Sequence, residues 1–215
     1  MDCPLCNSND TKLGINASEK KFRLCNNCKL IFTEEKFRLC PHEEKTRYTY
    51  HNNNIKDFGY VNFLNHLLIP ALRYVNPGSY GLDYGCGPVP VLSELAVLQG
   101  INCDYYDPFF FPLLNYNHQY DIIFASECFE HFFSPDNELN AIQKLLKPEG
   151  ILAIMTEFRT EQDKFHDWYY IKDPTHVCFY HIDTFKFICK EYGFETIYCD
   201  KKRVIVMKKC SNRLN

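Results

Sequence analysis

Four cysteines near the amino end are spaced to hold a metal ion. Cys3-Pro4-Leu5-Cys6 and Cys25-Asn26-Asn27-Cys28 are two CxxC pairs with eighteen residues between them. Each pair lets two thiolates converge on one ion, and the intervening loop is long enough to close a tetrahedral zinc site. With Cys3, Cys6, Cys25 and Cys28 in all four positions, no place is left for water. The ion is therefore expected to hold the segment folded rather than to react. A redox CxxC would normally open a helix in an α/β unit, whereas these pairs lie in a polar stretch of some forty residues. Cys40 and His42 are nearby and are the alternative ligands. The other eight cysteines are scattered, which suits small apolar core residues.

A second constellation is Leu82-Asp83-Tyr84-Gly85-Cys86-Gly87-Pro88, placed where a strand gives way to a helix. Glycine tolerates unusual backbone angles and carries no side chain to block a ligand, and the N–H groups of a helix start favour an anion. A dinucleotide loop of the GxGxxG type would need glycine or alanine at position 90, where Pro90 stands. Asp107 closes the next strand, twenty residues after Gly87. That spacing suits an acid that accepts hydrogen bonds from two ribose hydroxyls. Asp104 is the reserve for this role, and a turn-forming aspartate before Pro108 is the plainer reading of Asp107.

Histidines and aromatics gather further along, at Phe165-His166-Asp167-Trp168-Tyr169-Tyr170 and Asp173-Pro174-Thr175-His176-Val177-Cys178-Phe179-Tyr180. This stretch falls between a strand end and a helix, where a cleft wall would form. Histidine titrates near neutral pH and can take a proton from a reacting group. His176 is the first candidate, with His131 and His166 next, and each could equally be structural. Trp168, Tyr169 and Tyr180 suit a pocket that stabilises cationic charge, or the core. Glu127 and Glu130 either face the cleft or occupy a helix start, where negative charge is favoured.

Alternating strands and helices must position these groups. Apolar positions from about Ile55 to Val75 form a helical stripe, with Pro70 as a kink. Strands are predicted over Ser79–Tyr84, Ile101–Tyr106, Tyr120–Ser126 and Ile151–Thr156. Helices are predicted over Val91–Gln99, Asn137–Leu146 and His181–Tyr192. Phe194–Cys199 and Arg203–Lys208 are joined by three residues, which implies an antiparallel hairpin. The fold expected is α/β: a doubly wound, mostly parallel sheet with a terminal antiparallel hairpin, plus a small N-terminal zinc ribbon. Only about a dozen residues separate Asp107 from the strand at Tyr120, so the sheet is expected to be trimmed at that edge. Residues 1–45 read as the ribbon and its connector, and 46–215 as the main domain with a helical extension at about 55–75.

The 215 residues are 46% apolar, enough for a real core, and 16% aromatic. The net charge of −3 argues against a phosphate-backbone partner. The start Met1-Asp2-Cys3-Pro4 shows no secretory pattern, and runs such as Ile151 to Met155 are too short to span a bilayer. A cytoplasmic protein without a membrane partner is the expectation.

The 82–88 segment resembles motif I of class I S-adenosylmethionine-dependent methyltransferases, hydrophobic-Asp-x-Gly-x-Gly-x-Gly. It departs at Val89, where the third glycine is usual, and a β-branched residue narrows both backbone freedom and space. Asp121 to Phe132 resembles the strand-loop-helix of small-molecule methyltransferases, including quinone O-methyltransferases with a similar Glu-His step. Lys147-Pro148-Glu149-Gly150 looks like their Pro-Gly-Gly turn, and His176-Val177-Cys178-Phe179 like their His-x-x-Phe/Tyr element. The Asn/Asp-Pro-Pro-Tyr motif of nucleic acid base methylases is absent, since Ser126-Glu127-Cys128-Phe129 occupies its place. The resemblance implies S-adenosylmethionine bound by Asp83, Gly85, Cys86, Gly87, Asp107, Pro108, Ser126 and Glu127. The implied activity is methyl transfer to an oxygen or carbon of a small-molecule acceptor. The alternatives are an RNA methyltransferase docked through the ribbon, favoured by a basic face of Lys20, Lys21, Arg23 and Lys29, and a non-catalytic scaffold.

Overall fold

The computed structural model describes residues 1–17, 20–50, 53–160 and 165–211. A six-stranded sheet forms its centre. In chain order its strands are β4 (Tyr80–Tyr84), β5 (Asn102–Tyr106), β6 (Tyr120–Ser126), β7 (Leu146–Met155), β9 (Phe194–Cys199) and β10 (Val204–Lys209). The spatial order is β5-β4-β6-β7-β10-β9. The first four run parallel, and β10 lies antiparallel to both β7 and β9. This is a Rossmann-like, mostly parallel sheet with a terminal hairpin. It is trimmed as the short 108–119 segment required, since β5 is an edge and no strand lies beyond it among the described residues.

Alternation along the strands explains the helices on both faces. Ile122 and Phe124 of β6 point to one side, where α2 (Phe58–Ala71) and α3 (Val91–Leu98) cover them. Ile123 and Ala125 point to the other, against α4 (Pro135–Leu145) and α5 (Ile182–Tyr192). A period-two strand with two apolar faces must be buried on both sides. The stripe in α2 buries Leu64, Leu67, Leu68 and Ala71. Pro70 falls in the helix's last turn, and the predicted extension continues as a 3-10 turn, Leu72–Tyr74, rather than as helix to Val75.

A second, four-stranded sheet carries the cysteine pairs. It consists of β1 (Thr11–Ala17), β2 (Lys20–Cys25), β3 (Ile31–Thr33) and β8 (Cys178–Phe179), in the order β1-β2-β3-β8. Its last strand thus comes from the far end of the chain. Cys3, Leu5, Cys25, Cys28, Leu30 and Phe32 share one continuous core with Leu82, Ile123 and Leu152 of the large sheet.

The polar segment after Pro41, read above as a connector, is helix α1 (Pro41–Tyr48). Its proline sits at the first helical position, where a missing N–H costs nothing, and the Glu43 side chain caps the Cys40 N–H at 3.0 Å. Charged composition concealed the helix: its contacts with the body include Tyr48 against the His131 ring and Arg47 paired with Asp173 at 2.8 Å, while most of its side chains are exposed.

Candidate functional site

A cavity of about 460 Å³ opens at the carboxyl ends of the parallel strands. That is where strand order reverses and where ligands of such sheets bind. One end is a backbone construction. After β4 the chain turns through Gly85 (φ 81°) and Gly87 (φ 68°), both in the left-handed region. A Cβ at position 85 would lie 2.6 Å from Cys128 Cβ, so only glycine fits there. At position 87 a Cβ would meet nothing nearer than Asn53 Nδ2 at 3.8 Å, so glycine there leaves open space beside the cavity.

Neighbouring strand ends pin this loop. The N–H groups of Gly85 and Cys86 donate to the Tyr106 carbonyl at 2.8 and 3.1 Å. Gly87 N–H donates to Asp107 Oδ2 at 3.0 Å, and Asp107 Oδ1 accepts from Phe109 and Phe110 N–H at 2.8 and 3.1 Å. Asp107 is therefore both the turn-former and a cavity-lining residue. A carboxylate has about four acceptor sites, so three backbone bonds leave capacity for a ligand. Asp83, buried beneath the loop, accepts from Ser93 N–H at 3.2 Å in the first turn of α3. Burial pushes its carboxyl up to about 7, the Asp107 charge adds to the rise, and the Ser93 bond opposes it. Pro108 and Ser126 line the cavity, and burial raises the lining Cys86 thiol. Val89 does not reach in: it is 38% exposed and lies outside the cavity wall.

The other end is built from side chains. Glu127, at a left-handed φ of 49°, and the 3-10 turn Phe129–His131 follow β6. Glu130 is fully buried, and its Oε1 accepts from the Tyr170 hydroxyl at 2.5 Å. Its Oε2 and Glu127 Oε1 are buried and have no hydrogen-bond partner among the described residues. Burial drives the Glu127 carboxyl well above the usual range, the Glu130 charge adds to this, and Arg203 opposes it. The rings of His131 and His176 stand 4.9 Å apart. His131 Nδ1 lies 3.1 Å from the Thr175 carbonyl and His176 Nδ1 lies 2.7 Å from the Tyr170 carbonyl. Burial lowers the His176 imidazole below its ordinary value, with Glu130 opposing.

Two of the three proposed histidines thus meet in one wall, and the third does not. His166 is 60% exposed, pairs with Asp167 at 3.1 Å and lies outside the cavity. Trp168 and Tyr180 are core residues: Trp168 Nε1 donates to Glu157 Oε1 at 3.1 Å and the Tyr180 hydroxyl to the Phe129 carbonyl at 3.1 Å. Tyr169, 59% exposed, also lies outside the cavity, bonded through its hydroxyl to Glu157. Sequence reasoning missed Glu44 and Tyr48, which line the cavity from α1, and the anchoring role of Tyr170. The signal for the first two was Pro41 followed by Glu43, a helix start.

The four cysteine sulfurs lie within 4.8 Å of one another, with Cys3–Cys28 and Cys6–Cys25 at 3.5 Å. A tetrahedral zinc with sulfurs at about 2.3 Å spaces them by about 3.8 Å, so the cluster fits that ion. Cys40 is exposed and outside the cluster, at the cap of α1.

Residues 59–198 match the family described as methyltransferase domain. The chain belongs to this family and is an S-adenosylmethionine-dependent methyltransferase by class. No curated protein matches it in sequence. Among solved structures it is similar to the Burkholderia thailandensis 1,6-didemethyltoxoflavin-N1-methyltransferase, at 10% identity and a TM-score of 0.57, over 93% of this chain and 99% of that one. The N-methyltransferase NodS of Bradyrhizobium japonicum is 11% identical with a TM-score of 0.55, over 78% and 97%. The YcgJ protein of Bacillus subtilis is 13% identical with a TM-score of 0.51, over 71% and 100%. At such identities the likeness is one of fold.

Proposed function

We propose that the chain transfers a methyl group from S-adenosylmethionine to an oxygen or carbon of a small-molecule acceptor. The observation that carries this reading is the continuity of one cavity, from the Gly85–Pro88 loop and Asp107 to Glu130, His131 and His176. Two similar folds were solved with S-adenosylhomocysteine bound. The residues fit that group. Gly87 leaves open space beside the wall, Val89 stands clear of it, and Asp107 keeps acceptor capacity for a ribose diol. Asp83 supplies a carboxyl for an ammonium, and Cys86, Pro108, Ser126 and Glu127 complete the wall.

The cofactor, when bound, supplies an already activated methyl, so the protein's part is orientation and proton handling. The Nδ1–H of His131 and of His176 donates to a backbone carbonyl, which leaves Nε2 as the nitrogen with a free lone pair. The lowered His176 imidazole is neutral at pH 7 and can withdraw a proton from an acceptor hydroxyl or acidic carbon. His131 serves the same end, and His166 is left without a role.

Two cations that would have formed an RNA-docking face are engaged elsewhere. Lys20 Nζ donates to the Pro174 carbonyl at 2.9 Å, and Arg23 pairs with Glu34 at 3.0 Å. This favours the small-molecule acceptor. The four-cysteine cluster is proposed to hold a structural zinc. Calorimetry with S-adenosylhomocysteine, followed by transfer of labelled methyl to a metabolite extract, tests the reading. Binding and a labelled product that survives ribonuclease are expected. No affinity in zinc-loaded protein would refute the enzyme reading, and a ribonuclease-sensitive product would refute the acceptor.

A further inference from the structure

We infer that Glu130, His131 and His176 form a second metal site, for a divalent first-row transition ion, at the acceptor end of the cavity. One ligand atom from each of the three lies within 4.8 Å of the others. The donor set is two imidazoles and one carboxylate, a set that suits such ions and leaves coordination positions open.

Three independent features point to an ion rather than to a packed polar cluster. First, Glu130 is fully buried, and its Oε2 has no hydrogen-bond partner among the described residues. A buried carboxylate oxygen is costly to leave unsatisfied unless a donor or a positive charge meets it. Among the described residues, no lysine or arginine lines this cavity. Second, each histidine has its Nδ1 against a backbone carbonyl, Thr175 for His131 and Tyr170 for His176. That bond to the carbonyl fixes the tautomer and orients Nε2, as it does for metal-ligating histidines generally. Third, the set is anchored: the Tyr170 hydroxyl holds Glu130 Oε1 at 2.5 Å, and Val177 N–H donates to the Glu130 carbonyl at 2.8 Å. The turn with Glu130 and His131 is thereby tied to the strand that follows His176.

All three ligands line the cavity, so the open positions face the acceptor. The site suits an acceptor that binds the ion through a hydroxyl oxygen, as its anion, with the released proton passing to water. This last step rests on the proposed methyl transfer and replaces its histidine base by water, because an ion and a proton compete for the same two nitrogens. The metal site itself does not depend on that reading.

Metal counting tests it on the zinc-loaded chain. The protein is dialysed against cobalt(II) and then against buffer, and total zinc plus cobalt is measured. Two equivalents are expected for the native chain, and one for Glu130→Gln and for His176→Gln. His176→Gln, at a partly exposed position, serves should Glu130→Gln fail to fold, and S-adenosylhomocysteine affinity reports folding in both. A native chain with one equivalent overturns the inference, including the case in which an organic ammonium occupies the site instead. So does a folded His176→Gln chain that keeps two. Should the native chain hold two metals without binding S-adenosylhomocysteine, the methyl-transfer reading fails and the metal site stands.

Discussion

The two ends of the cavity are made of different materials. The end at Gly85, Gly87 and Asp107 is backbone: positive φ angles, N–H groups and a short turn, all within the large sheet. The end at Glu130, His131 and His176 is side chain, and it is held from outside that sheet. Thr33 N–H of the small sheet donates to the Val177 carbonyl at 2.8 Å, Val177 N–H donates to the Glu130 carbonyl at 2.8 Å, and β8 pairs with β3. The cysteine module is therefore a clamp on the acceptor end as well as an appendage. The backbone end sits on the large sheet, and the end proposed to choose an acceptor is fastened to a segment that precedes the family-matched residues 59–198.

Of all changes, loss of the proposed structural zinc should have the largest effect on this division. A structural zinc contributes on the order of 10 kcal/mol to a small site's folding. Cys3, Cys25 and Cys28 lie in the same core as the large sheet. Cys25→Ser, or a strong chelator, is expected to lower the thermal midpoint sharply and to abolish methyl transfer before cofactor affinity is lost. Native-state hydrogen exchange should then show residues 175–179 opening ahead of β4. Equal loss of protection at both places would break the comparison.

Gly85→Ala comes next and strikes the backbone end. The added Cβ would meet Cys128 Cβ at 2.6 Å in a left-handed conformation, a combined strain of about 2–4 kcal/mol. S-adenosylhomocysteine affinity should fall by about tenfold or more in calorimetry, while the cobalt equivalent at the other end is retained. Loss of both would mean that the two ends are one unit.

The same contrast explains what was legible in the sequence. The large sheet follows from alternating apolar strands and glycine or proline stops, and Tyr120–Ser126 and Phe194–Cys199 run where their patterns put them. Gly85, Gly87 and Asp107 were readable because a backbone turn is a local object with a fixed spacing. The acceptor end was only half readable. Glu130 is brought to Tyr170 and to His176 by contacts across forty or more residues, which no spacing encodes. Trp168 and Tyr180 were offered as pocket residues because aromatic composition does not distinguish a cavity wall from a core. His176 is set ahead of His166 by its His-x-x-Phe/Tyr context, and it is the turn at Phe165–Asp167 that places His166 in solvent.

Asp83 offers a pH signature of the backbone end. Its carboxyl is near 7 in the fold against an ordinary value near 4, so the folded state binds a proton more tightly than the unfolded one. Stability from this group is present below about pH 4 and is lost as pH rises towards 7, an effect on the order of 4 kcal/mol. Denaturant titrations of the native chain should show this decline between pH 4 and 7, and Asp83→Asn should flatten it. A decline that persists unchanged in Asp83→Asn would assign it to the carboxyls that burial raises elsewhere in the cavity, Glu127 and Glu44.

His166→Ala is the smallest change and the sharpest control on the division of the cavity. The side chain is exposed, and among the described residues it pairs with the similarly exposed Asp167. Surface pairs of this kind contribute little, about 0–1 kcal/mol at most. Methyl transfer, cofactor affinity and metal count are all expected to stay at native levels, against large losses for His176→Gln in transfer and metal content. The two histidines are ten residues apart and chemically identical, so the contrast isolates position. A strong effect of His166→Ala on transfer alone would place the acceptor outside the cavity wall formed by Glu130, His131 and His176, and would move the reacting end to the outer surface near Asp167.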